Sequence, residues 1–377
     1  MSDCPSLETL TAQGLGWVDR ETGSIVPPLY PSTNFERNPD LSFNDNRVYT
    51  RADNPTYRQA SALLARLESG CGAQLFSSGM AAVVALFQAL RPGDHVILPE
   101  SLYFGVRKWV LNYTSLQAEF VPNEDLDALR RALRPGVTRL VWIETPSNPM
   151  WCVTDIAAAA EIAHQAGALV AVDNTVPTPV LTRPLELGAD IVMHAGTKYL
   201  NGHGDVLLGA LVARENNELW TAIHEIAHDG GALPGTFETW LLLRGMRTLF
   251  VRMERICASA MAVAQHFHGH PKLLSVLYPG LPDCVGHDVA VRQMTGGFGG
   301  MLSIRVVGGQ GGAVRVQANT KIFKRATSFG GTDSLIEHRA SYEPPDSPVP
   351  QDLLRLSIGL ESVSDLIADL EQALESA

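Results

Sequence analysis

The sequence predicts an α/β protein: a mostly parallel central sheet flanked by helices, followed by a smaller C-terminal α+β unit. Three observations lead there. From residue 60 onward, short apolar runs alternate with helix-period segments of about ten to fifteen residues, the pattern of βαβ units. Near residue 235 that rhythm gives way to one long helical stretch. The 377 residues, 45% hydrophobic and 18% charged, are enough for a large core and two or three domains.

In chain order, residues 1–48 lack periodicity and carry Gly, Pro and Asn in IVPPLYPSTNF and ERNPDLSFNDN. They read as an extended arm with little core of its own, for which a neighbouring subunit is one surface to lie on. TYRQASALLARLES is a helix, QLFSS a short strand, and MAAVVALFQAL a helix stopped by RPGD. HVILPE reads as a short buried strand, and QAEFVP, RLVWIETP, LVAVDN and DIVMHA read as strands. YFGVRKWVLNY, LDALRRALR and DIAAAAEIAHQAG read as the helices between them, the last with Asp155 as N-cap and Gly167 as stop. Residues 235–267 form one helical pattern with a kink expected at Gly245. GGFGGMLSIRVV and LLRLSIGL are strands, GGAVRVQANT is a helix, and SVSDLIADLEQALES is a capped terminal helix. VVGGQGG (306–312) reads as a surface loop, and EPPDSPVPQD as a Pro-rich one. The domain boundaries expected are 1–48, 49–245 and 246–377.

Charge excludes several functions. The net charge is −11 with no basic cluster, which argues against nucleic-acid or membrane-surface binding. No apolar run is long enough for a membrane span, and no secretory signal is visible. Five scattered cysteines fit neither a disulfide framework nor a zinc site, so a cytoplasmic protein without a metal is expected. His194, His203 and His338 are not read as ligands.

Three strand ends carry the chemistry. In SSGMAA (77–82) a strand turns through Gly79 into a helix, whose free N–H groups and dipole favour a phosphate. In VDNT (172–175) Asp173 ends a strand facing the crevice where open sheets bind ligands. In HAGTKYLNGHGD (194–205) Lys198 follows a strand, in a chain where only five of 29 basic residues are lysine. A desolvated amine serves as a Schiff-base nucleophile, which arginine cannot do. Taken singly, the first also fits an ordinary βα turn, the second a helix cap and the third a surface lysine. Together they match pyridoxal phosphate: a cradle for its phosphate, an acid for its pyridine nitrogen and an amine for its aldehyde.

The segments YTRADNPTYR (49–58), FSSGMAA (76–82), SLYFG (101–105), ETPSNP (144–149), VDNTVPTP (172–179), HAGTKYLNGHGD, SFGGTDSL (328–335) and LRLSIGLES (354–362) extend the match over nearly the whole chain. The chain resembles the Cys/Met-metabolism family of PLP enzymes, which groups cystathionine γ-synthase, the cystathionine γ- and β-lyases and methionine γ-lyase. The resemblance implies the aspartate-aminotransferase-like (type I) fold. Lys198 matches the aldimine lysine and general base, Asp173 the pyridine partner, and Tyr103 a tyrosine stacked on the ring that serves proton transfer. Gly79, Met80 and Thr197 match phosphate contacts. Asn148 matches the residue at the phenolic oxygen. Arg355 matches the clamp on the substrate carboxylate, and Ser328 a residue beside it. Tyr49 and Arg51 match a pair that reaches the phosphate of the neighbouring subunit. This implies a dimer with shared active sites, assembled further into a tetramer.

The implied activity is γ-elimination or γ-replacement on cystathionine, an O-acylhomoserine or an analogue such as canavanine. Cystathionine β-lyase is the alternative. Four departures stand out: Ala195 where a phosphate-binding serine is usual, Gly105 where methionine γ-lyases carry a cysteine, Asp333 for a glutamate, and the unusual EHRASYEPPDSPVP segment.

Overall fold

The computed structural model describes residues 5–343 and 347–377. Helix α1 (Leu7–Ala12) lies in the arm, and α2 (Pro55–Leu67) opens the alternation behind an Asn54 cap. Then follow β1 (Gly72–Phe76), α3 (Gly79–Gln88), β2 (His95–Pro99), α4 (Phe104–Tyr113), β3 (Gln117–Val121) and α5 (Leu126–Ala132). Next come β4 (Thr138–Glu144), α6 (Ile156–Gln165), β5 (Leu169–Asp173), the short α7 (Thr178–Leu181), β6 (Ile191–Ala195), β7 (Gly209–Ala213) and α8 (Glu218–Gly230). Asp155 caps α6 through Ala158 N at 3.0 Å, as the sequence predicts.

The seven strands lie in the order β1-β7-β6-β5-β4-β2-β3. Only β7 is reversed, running antiparallel to both β6 and β1. The chain passes outward from β2 to β3, then jumps back to place β4 on the other side of β2. That reversal opens a crevice beyond the carboxyl ends of β2 and β4, where ligands of such sheets settle. The strands alternate between two apolar layers. Val141 and Ile143 of β4 face one, Leu140 and Trp142 the other, so both faces are covered and the strands read as unbroken apolar runs.

The remaining elements are α9 (Thr236–Met246), α10 (Leu249–Phe267), β8 (Leu273–Leu277), α11 (His287–Gln293), β9 (Met301–Val306), α12 (Gly309–Asn319), β10 (Lys324–Arg325), β11 (Leu335–His338), β12 (Leu353–Ser357) and α13 (Val363–Leu374). The second sheet is ordered β10-β11-β12-β9-β8, and it is antiparallel except at β10.

Several expectations need correction. The helical run 235–267 is two helices, broken at Arg247 and Thr248 rather than kinked at Gly245. Gly245 serves a different purpose: a Cβ there would collide with the Asn201 carbonyl. The glycines at 309–312 form the first turn of α12, not a loop. Ser362 precedes α13 but bonds Ser364 Oγ, not a helix N–H. Of the Pro-rich stretch, residues 344–346 lie outside the described residues, and Val349 is buried.

Candidate active site

Lys198 sits in the turn after β6, its backbone N–H bonded to Ala195 O at 3.0 Å. The side chain enters a cavity of about 410 Å³ that opens over the ends of β2, β4, β5 and β6. Its amine donates to Ser328 Oγ at 2.7 Å and lies 4.9 Å from the centre of the Phe329 ring. Burial, then the nearby Arg355, brings the amine down to about 8, so near neutral pH a minority of it, far larger than for an ordinary lysine, is uncharged.

The same cavity is lined by Gly79, Met80, Tyr103, Asn148, Asp173, Thr197, Ser328 and Arg355, nine of the eleven predicted site residues once Lys198 is included. They come from both sheets. Arg355 on β12 is buried and donates to Asn148 Oδ1 at 3.3 Å and to Ser328 O at 3.1 Å. Ser328 holds φ at 86°, a left-handed conformation rare outside glycine, which turns its carbonyl to Arg355 and its hydroxyl to Lys198. Tyr103 is exposed at the cavity lip, where it precedes α4. Tyr49 and Arg51 are the two exceptions. Both are exposed and outside the cavity, with the Arg51 guanidinium 5.9 Å from the Tyr49 ring.

The residues present fit pyridoxal phosphate. At the start of α3 Ser78 Oγ caps Ala81 N at 3.0 Å, and the preceding N–H groups of Gly79 and Met80 have no acceptor within the helix. A Cβ at Gly79 would stand 3.0 Å from Ala195 Cβ and 3.2 Å from Met193 Cε, tighter than ordinary packing, so glycine lets α3 start close against β6. Asp173 accepts from Thr175 N at 2.9 Å. Burial pushes its carboxyl up, a state that a protonated pyridine nitrogen would relieve. Thr197 is less free than expected, because its hydroxyl donates to Leu208 O at 3.2 Å and accepts from Leu208 N at 3.0 Å.

The Cys/Met metabolism PLP-dependent enzyme family matches residues 8–375. The chain belongs to that family. It is 44% identical over 370 residues to a cystathionine gamma-synthase of Mycobacterium tuberculosis, covering 94% of this chain and 93% of that protein. It is 38% identical to a cystathionine gamma-lyase of Bacillus subtilis, covering 98% and 99%. A solved cystathionine gamma synthase from Xanthomonas oryzae pv. oryzae, in complex with aminoacrylate and cysteine, superposes with a TM-score of 0.94 at 35% identity, over 99% and 98% of the two chains. The protein is therefore a PLP-dependent enzyme of carbon–sulfur transsulfuration chemistry with the fold that the sequence predicts. No helix among the described residues is long and apolar enough to cross a membrane.

The departures resolve unevenly. Asp333 pairs with exposed Lys324 at 2.5 Å and does not line the cavity. A Cβ on Gly105 would come 2.7 Å from Tyr103 Cε1, so the bare residue leaves room for that ring. Ala195 abuts Gly79 and gives its N–H to Thr175 Oγ1 at 2.8 Å. His194 is fully buried, bonded at 2.6 Å to Glu68 Oε1, while His203 and His338 bond backbone carbonyls. The expectation of no metal overlooks His224–His228, a His-Glu-x-x-His spacing of the kind that binds zinc on a helix. Here His224 bonds Gln74 and His228 bonds Asp229, and among the described residues no third ligand joins them. Sequence reasoning passed over Glu144 and Arg339, both in the cavity wall, although ETPSNP and EHRASY contain them.

Proposed function

We propose that the enzyme carries out γ-elimination or γ-replacement on a homoserine- or homocysteine-derived amino acid: cystathionine, an O-acylhomoserine or an analogue such as canavanine. The observation that carries this reading is the wall formed by Lys198, Ser328 and Arg355, which sets a proton-transferring amine beside a carboxylate clamp. Similarity to a γ-synthase and a γ-lyase supports γ- over β-chemistry.

Bound pyridoxal phosphate supplies an aldehyde that joins an amine and a ring that accepts electrons from carbon. Asp173 would keep a proton on its pyridine nitrogen, and the start of α3 would hold its phosphate. Arg355 receives the substrate α-carboxylate on its planar fork. Lys198 takes the proton from Cα. Once it has given that proton up, the same amine would take one from Cβ, so that the Cβ–H electron pair forms the Cβ–Cγ double bond as the γ-substituent leaves with the pair of its own bond. Tyr103, at the cavity lip, would face the ring of bound cofactor and assist proton transfer there. In this reading Tyr49 and Arg51 serve the phosphate of a neighbouring copy. Val18, Ile25, Val26 and Leu41, exposed on the arm, support its lying on a partner.

A substrate panel with product identification tests the proposal. Release of 2-oxobutyrate means γ-elimination, and a thioether formed from an O-acylhomoserine and a thiol means γ-replacement. Pyruvate from cystathionine, without either, would establish β-elimination instead.

A further inference from the structure

We infer that Arg339 is a positioning residue for the carboxylate clamp: it draws the charge of Glu337 off Arg355, leaving that guanidinium free to take the substrate carboxylate. The inference rests on the assignment of Arg355 made above. Four charged side chains form a buried chain behind the cavity, in the order Glu343, Arg339, Glu337, Arg355. Their side chains are 11%, 7%, 2% and 4% exposed. Only the two arginines line the cavity; both acids stand behind them.

Arg339 follows β11 directly, and Glu337 and Arg355 face each other across the β11–β12 ladder. The Arg339 guanidinium is fixed along one edge, with Nε and Nη2 at 2.7 Å and 2.6 Å from Glu343 Oε1. Its other nitrogen, Nη1, stands 3.8 Å from Glu337 Oε2, beyond hydrogen-bond reach. That same Glu337 oxygen makes a close ion pair with Arg355 Nη2. Among the described residues neither oxygen of Glu337 has a hydrogen-bond partner, and the guanidinium groups of Arg355 and Arg339 are the charges set against it.

A substrate carboxylate arriving at Arg355 meets a guanidinium that already has an anion on it. Two carboxylates on one arginine repel each other in a water-poor site. Arg339 Nη1 is the group placed to accept Glu337 when this happens, by a shift of about 1 Å from ion-pair to hydrogen-bond distance. Without Arg339, Glu337 would stay wholly on Arg355 and compete with the substrate. Arg339 therefore acts through Glu337 and Arg355 and touches no reacting atom.

The test uses the holoenzyme and two non-reacting ligands, followed by the cofactor's absorbance. L-norleucine carries the α-carboxylate, and 1-aminopentane is the same amine without it. Arg339→Gln is expected to weaken L-norleucine about tenfold or more, to leave 1-aminopentane within about twofold, and to raise KM more than it lowers kcat. Arg339→Lys should recover part of the loss. In a Glu337→Gln background, the added Arg339→Gln change should cost no more than about twofold. That double variant also removes both charges together, which keeps the test open if Arg339→Gln alone folds poorly. Equal weakening of both ligands, a silent Arg339→Gln, or an undiminished loss in the Glu337→Gln background would overturn the inference. Arg355→Lys is run alongside. If L-norleucine binds it unchanged, the assignment of Arg355 is wrong and the inference goes with it. If Arg355→Lys weakens binding while Arg339→Gln is silent, the inference alone fails.

Discussion

Glu144 and Asp173 end adjacent parallel strands directly in register, so two carboxyl groups share one cavity at the foot of the crevice. Glu144 is buried and accepts from Tyr103 N at 2.8 Å, which ties the start of α4 to the end of β4. Burial, and then the charge of Asp173, pushes the Glu144 carboxyl well above the usual carboxylate range. Burial likewise raises Asp173.

The first prediction concerns pH and stability in the cofactor-free protein. A carboxyl that titrates higher folded than unfolded holds its proton longer in the folded state. Its stabilising effect is complete below about pH 4.3, the ordinary glutamate value, and is lost as pH rises toward the raised one. Wild type should therefore lose stability between roughly pH 4.5 and 8, by ~1 kcal/mol or more from Glu144. Glu144→Gln keeps an acceptor for Tyr103 N and cannot ionise, so its slope should be flatter. Parallel Tm curves for the two proteins would show that Glu144 does not titrate in this window.

Lys198 should capture the cofactor with a pH dependence centred near 8 rather than at an ordinary lysine value, because only the uncharged amine attacks an aldehyde. Stopped-flow mixing of cofactor-free protein with pyridoxal phosphate measures this. The rate should climb with pH and level off above that midpoint. Lys198→Ala should fold, lose the covalent band and lose turnover. A midpoint near 10 would mean that the amine is not desolvated in solution.

Gly105→Ala should disturb Tyr103 without harming the fold. The added methyl would press on Tyr103 Cε1, an exposed ring that moves easily. Activity should fall roughly tenfold or more, while stability changes by less than about 1 kcal/mol, as is usual away from the core. Unchanged kinetics would show that the ring position seen here is not the working one.

His194→Ala should cost about 3 kcal/mol or more in urea unfolding. It takes the histidine partner from buried Glu68 and leaves Asn174 alone on it, behind the end of β6 that leads to Lys198. A loss under about 1 kcal/mol would mean that Asn174, 2.8 Å from the same Glu68 oxygen, suffices alone.

Most of this architecture was legible because it is local. Apolar runs covered on both faces, the Asp155 cap and the Gly79 turn each express one rule over a few residues. What stayed hidden depends on distant partners. Strand β7 follows a glycine turn without helical spacing to frame it, and its reversed direction is set by pairing with β1 and β6. The use of Gly245 depends on Asn201, and that of Gly105 on how Tyr103 lies. Arg339 gains meaning only when β11 and β12 pair and set Glu337 beside Arg355. Of the nine residues that meet in the cavity, Gly79, Asp173 and Lys198 were legible from strand-end chemistry, and the other six from segments that carry the family resemblance.

The last prediction concerns assembly. Tyr49 and Arg51 are exposed and stand away from the cavity of their own chain. If they serve a neighbour's phosphate, each site is completed by a second copy, and a monomer lacks a charge-assisted contact worth roughly 1.5–3 kcal/mol. Arg51→Ala and Lys198→Ala should each be inactive or nearly so. Mixing them under conditions that exchange subunits gives dimers in which one site carries both lesions and the other carries neither. Activity should then return, approaching a quarter of the wild-type value per chain at equal mixing, since about half of the dimers are mixed and each has one intact site. Exchange is followed independently with two fluorescent labels. Complete exchange without recovered activity, or a fully active isolated monomer, would show that Arg51 does not act across a subunit boundary.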